Sequence, residues 1–154
     1  MASSAVVLAL VALFAASAIA ATPVEPRARV EHHLHEAAQI TKHFEDVLAG
    51  VCPHFGSRAE WKRYFDGEVD RVVLLLAHLE QAWLEAKRTG DDDLRRSAKA
   101  PRQRSEQARA LVDKLQTCAE QHGAGFAPMT LWLRIEREVP KRQAEIALPV
   151  PAQN

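Results

Sequence analysis

The sequence predicts an all-α fold: an up-down antiparallel bundle of about four helices, built around a long helical hairpin. Three observations predict it. Apolar residues recur at spacings of three and four along most of the chain, the period of a helix with one buried face. Val, Ile and Thr are scattered rather than gathered into alternating runs, and only 6 of 154 residues are glycine, a composition that leans helical. The connections between periodic stretches are mostly short and marked by glycine or proline, as antiparallel neighbours require.

The fold is organised by Ser57 to Thr89. Ser57-Arg58-Ala59-Glu60 has the capping-box pattern, in which a hydroxyl and a carboxylate each satisfy an orphan backbone N–H. Beyond it Trp61, Phe65, Val69, Val72, Leu76, Leu79, Trp83 and Ala86 form one apolar stripe. Gly67 costs about 1 kcal/mol relative to alanine inside a helix, but the stripe runs through it unbroken, so one helix of roughly 50 Å is expected. Gly90 ends it.

Before this helix, Met1–Ala20 reads as a secretory signal peptide. Its apolar run ends in Ala18-Ile19-Ala20, a small-x-small cleavage signature, although no Lys or Arg precedes the run. The other reading is an uncleaved N-terminal anchor, and the run is short for a span of about 20 residues. Cleavage places the mature chain at Ala21 and in an oxidising compartment, periplasmic or secreted. Residues 21–26 are then an extended leader, 27–147 the helical-bundle domain and 148–154 a flexible, proline-bearing tail. The first helix runs from Arg27 to Ala49, with Gly50 as its C′ residue and Val30, Leu34, Ala37, Thr41, Phe44 and Leu48 as its stripe.

After Gly90, Asp91-Asp92-Asp93 suits a cap and an acidic first turn. The stripe Leu94, Ala98, Pro101, Ser105, Ala108, Leu111, Leu115, Cys118 and His122 predicts one third helix, kinked or restarted at Pro101. From Pro128 the pattern fits either period. Leu131, Ile135 and Val139 lie four apart, and flanking charge with no partner strand favours a helix, kinked or broken at Pro140.

Counting outward from Gly90 along the hairpin puts Cys118 level with Trp61, at the base of the bundle, with Cys52 in the loop before it. Three readings compete for the two cysteines. An exported domain favours a Cys52–Cys118 disulfide. Cys52 and His54, with Cys118 and His122 four apart on a helix, also make a Cys₂His₂ set for Zn or Cu. The third reading is two free thiols.

The first helix offers a second metal set. Glu31 and His35, or His32 and Glu36, lie four apart and span two ligand positions of one ion. His35-Glu36-Ala37-Ala38-Gln39 misses the zinc-protease pattern at Gln39. A solvated helix start accounts for the same residues, and several imidazoles there respond to pH below about 6.5 without any metal. Met129 and His122 lie near the same end and raise an axial-ligand pair for haem, removed by a spectrum without a Soret band.

Arg95, Lys99, Arg102 and Arg109 share one face of the third helix and suit an anionic partner. No aromatic residue interrupts that stretch, so the stacking of single-strand binders is missing, and zero net charge also disfavours nucleic acid. Trp61 and Trp83 read as core; Trp132 lies at the flank of its stripe.

No nucleophile elbow, phosphate loop, dinucleotide fingerprint or complete zinc-hydrolase motif is present. The sequence therefore reads as an exported helical-bundle interaction or structural protein without a cofactor, acting on a protein partner or on itself. A Zn- or Cu-binding extracytoplasmic protein is the alternative. Membrane attachment would come only from an uncleaved signal segment.

Overall fold

A computed structural model describes residues 24–99 and 102–149, the side chains of 102–105 excepted. The signal segment, residues 21–23 of the leader and residues 150–154 of the tail lie outside the described residues. Within them the chain is all helical: α1 (Pro26–Ala49), α2 (Arg58–Thr89), α3 (Asp92–Lys99), α4 (Arg102–Gln121) and α5 (Pro128–Ile146). None of these helices is long and apolar enough to cross a membrane.

The start of α2 is set by local chemistry. Ser57 Oγ accepts from the Glu60 N–H at 3.2 Å, and the Glu60 carboxylate accepts from the N–H groups of Ser57 and Gly56. The helix ends at Gly90 with φ of 72°, a left-handed conformation that an L side chain resists. Gly67 lies inside the uninterrupted helix. A Cβ there would meet the Arg71 guanidinium at an ordinary 3.6 Å. Gly67→Ala is therefore expected to stabilise the protein by about 0.5–1 kcal/mol, through the lower entropy of the unfolded chain. A urea titration checks the sign: a lowered midpoint would mean that this position needs glycine.

Three features refine the expectation. The segment after Gly90 holds two described helices, α3 and α4, with residues 100 and 101 between them lying outside the described residues. Asp91 Oδ1 caps the first by accepting from the N–H groups of Asp93 and Leu94 at 2.8 and 3.1 Å. Second, α2 takes its main cover from α1 and α5, while α4 packs more on α1 than on α2. A stripe shows that a face is buried but not which helix buries it. Third, α5 runs through Pro140 to Ile146. Glu136 and Pro140 are both exposed, so the carbonyl that loses its N–H donor there is open to water. Smaller differences sit at the ends of α1. It begins at Pro26, one residue early, and closes at Gly50 in extended rather than left-handed backbone.

The core has three parts. The central one joins Phe44, Val72, Leu75, Leu111, Leu115 and Ile135. At the base Trp61, Cys118 and Ala119 pack with Phe55, Phe65 and Phe126. At the opposite end Val30, Ala82, Ala86, Leu94 and Ala98 form a cluster that is mostly alanine.

Candidate functional site

The most unusual part of the molecule is the seam between α1 and α2, where polar side chains occupy buried positions. Arg29 is 3% exposed and Glu85 1%. Arg29 Nε donates to Glu85 Oε2 at 3.0 Å, and Nη2 lies 3.0 Å from the same oxygen as an ion pair. Glu85 Oε1 accepts from Gln81 Nε2 at 2.9 Å, and Gln81 Oε1 accepts from Gln143 Nε2 at 3.0 Å. This polar chain therefore links α1, α2 and α5. Arg29 also donates to the Val24 carbonyl, which fixes the chain just before α1.

One turn along α1, His33 Nδ1 lies 3.0 Å from His78 Nδ1, and His33 has no exposed surface. One nitrogen must donate and the other accept. His33 Nε2 is buried with no partner. A proton on His33 Nδ1 leaves only a lone pair at that orphaned position, which costs less than an orphaned N–H. Burial above all, then the neighbouring His78, His32 and Arg29, brings the His33 pKa down to about 4. Burial also lowers His78, against the pull of Glu36. Further down the seam, Glu68 is 2% exposed and accepts from His43 Nε2 at 2.9 Å and Arg71 Nη1 at 2.8 Å.

The base holds a second concentration of chemistry. Cys52 and Cys118 are paired at disulfide distance, with Cα atoms 5.4 Å apart. The His122 ring stacks on Trp61 with centroids 5.1 Å apart, and its Nε2–H donates to the Pro53 carbonyl at 3.0 Å. His54 is exposed, its ring 6.3 Å from that of His122. Sulfurs joined to each other are not the thiolates that bind a metal, and the Nε2 of His122 is already engaged. Met129 is 70% exposed, whereas His122 stays stacked on Trp61.

The metal set read on the first helix is divided by the fold. Glu31 lies exposed beside Arg27, and His35 is exposed as well. His32 lies by the seam, its ring 5.1 Å from His33 and 6.2 Å from His78. Glu36 is half-buried, and its charge acts on His78. Among the described residues no three His, Cys, Asp or Glu side chains are disposed to hold one ion.

The basic stripe is divided too. Arg95 and Lys99 line an open groove with Trp83, Asp92 and Arg96, where Arg95 is paired with Asp92. Arg109 sits over Trp132 at 6.0 Å, against a different part of the core. The side chain of Arg102 lies outside the described residues.

Sequence reading did not single out Arg29, His33, His78 or Glu85. A signal was there. Val30, His33, Ala37, Thr41 and Phe44 have helical spacing, and so do Glu68, Val72, Leu75, His78, Ala82 and Glu85. Thr41 belongs to the stripe read on the first helix, whereas His33, Glu68, His78 and Glu85 fall outside any stripe read from the sequence. In fact the first row is the buried face of α1, and the second is an additional buried face of α2. No family model, no curated protein and no solved structure matches this chain.

Proposed function

We propose that the protein is an exported helical module, periplasmic or secreted, that works by presenting a surface to a protein partner. The observation that carries this reading is on α5. Met129 and Leu133 are 70% and 54% exposed and lie four residues apart, so they share one face of the helix. In the same reading the reactive side chains are put to structural use. Cys52 pairs with Cys118, Arg29 with Glu85, His33 with His78, and Glu68 with His43 and Arg71. A paired cysteine in a small domain fits an oxidising compartment, and the reading of Met1–Ala20 as a signal peptide agrees with it. The helices are read as running alternately up and down, with α1 and α5 flanking α2.

The test is site-specific photo-crosslinking of the full chain in its native cell. A crosslinker at Leu133 is expected to give one discrete adduct that is lost in Met129→Ser. A crosslinker at Glu45, exposed on α1, is expected to give none. Equal labelling from both positions, or none from Leu133, would end the surface reading. Intact mass on the same material addresses export: a chain beginning at Ala21 without alkylatable thiols supports it, and a retained leader with two free thiols overturns it.

A further inference from the structure

We propose that the far half of the α1–α2 seam is a proton-operated latch. Charging the His33–His78 pair frees the N-terminal turns of α1 from α2, while the base of the bundle stays closed.

The two ends of α1 are held differently. Its C-terminal half seats Phe44 in the central core and leads directly into Cys52, which is tied to α4. Its N-terminal half is covered by the small cluster in which three of the five buried members, Ala82, Ala86 and Ala98, are alanine. Apolar stabilisation scales with buried area, so polar contacts carry more of the hold at this end. His33 lies roughly 24 Å from the α1 C-terminus by helical rise, far enough for one end to open alone.

The chemistry of the pair makes it sensitive to protons. While both rings are neutral, one Nδ1 donates to the other. When both are charged, each Nδ1 carries a hydrogen and the 3.0 Å contact has no acceptor. The charges facing the pair do little to soften this. On α1 these are Arg29 and His32, which oppose a further positive charge, and the half-buried Glu36, which favours it. On α2 the buried carboxylate Glu85 is already bonded to Arg29, and Glu80 is exposed. The α3 charges answer one another in the pairs Asp92–Arg95 and Asp93–Arg96, and Lys99 is exposed. On α4, Arg109 lies over Trp132, Lys114 donates to the Gly50 carbonyl, and Glu106 is exposed. From α5 the seam receives the uncharged Gln143, and Arg142 is bound to Asp70. Lower down the seam, Glu68 accepts from His43 and Arg71.

The direction follows from proton binding. A freed imidazole binds its proton near 6.5, while the seated His33 does so at about 4. Between these values the open form holds more protons, so opening grows as pH falls. From pH 7 to pH 4.5, His33 alone raises the opening constant about 50-fold.

Amide hydrogen exchange on the full, oxidised chain tests this, with rates corrected for intrinsic pH dependence. Between pH 7 and 4.5 the opening constant of residues 27–38 is expected to rise about 50-fold. Residues 108–119 and 131–139 are expected to change little. The double variant His33→Gln/His78→Gln keeps amide donors and acceptors but removes the titration, and is expected to abolish the rise. Three results overturn the latch: no rise, an equal rise in all helices, or a rise that survives in the double variant and so belongs to carboxylates. Should that variant fail to fold, the ring resonances of the unaltered protein decide. Titration of His33 well below 6.5, coupled to the α1 amides, supports the latch, and titration near 6.5 without coupling overturns it.

Discussion

Reducing Cys52–Cys118, or replacing both residues with serine, is expected to lower the unfolding free energy by about 4 kcal/mol. The bridge closes a sequence separation of 66 residues. In the chain-entropy account a loop of that size removes much of the freedom of the unfolded chain. The folded base has packing of its own, since Trp61, Phe55, Phe65 and Phe126 surround the cysteines. The reduced protein is therefore expected to fold, with a melting temperature lower by roughly 10–20 °C. Thermal unfolding with and without reductant measures this. A loss under about 1 kcal/mol would mean that the unfolded chain already keeps these segments together.

Breaking the Arg29–Glu85 pair is expected to be nearly as costly, and asymmetric. Removing one partner of a buried ion pair costs about 3–5 kcal/mol, because the survivor is left charged and buried. After Glu85→Leu the survivor is Arg29, 3% exposed, with the Val24 carbonyl as its remaining partner. A guanidinium cannot shed its proton to escape. After Arg29→Met the survivor is Glu85, which keeps Gln81 and Arg88 and can take up a proton. Glu85→Leu is thus expected to be the more damaging change, and the double substitution less damaging than the sum of the two. Urea unfolding of the four proteins gives the cycle. Additive losses would show that the two side chains act independently despite the 3.0 Å contact.

Where the fold was legible, the information was local. The capping box at Ser57 names its own helix start, and the spacing from Trp61 to Ala86 names its length. Counting from Gly90 placed Cys118 beside Trp61, where the base cluster has it. Pro101 marked a kink or a restart, because a proline does not say whether a helix bends or divides. The alternation from Leu131 to Val139 yielded to the four-residue spacing, because Leu131 and Ile135 are the buried pair.

The seam was not legible, for a physical reason. His33 and His78 are 45 residues apart, and Arg29 and Glu85 are 56 apart. Each alone looks like a solvated residue, since an isolated buried charge is too costly to expect. Only the pairing makes burial tolerable, and pairing is a property of helix order rather than of either sequence window. The same blindness applied to cover. The pattern showed that α2 buries a long face but could not assign α1 and α5 to it.

The Cys52–Cys118 bond also changes how the chain carries tension. It makes a covalent ring of residues 52–118, enclosing all of α2 and α3 and most of α4. Force applied at the two ends of the described chain passes across the sulfurs and leaves the ring slack. Only α1 and the chain beyond Cys118, including α5, can be drawn out. The helix that bears the latch is thus also one of the two that can extend, while the ring keeps its His78 and Glu85 partners out of the line of force.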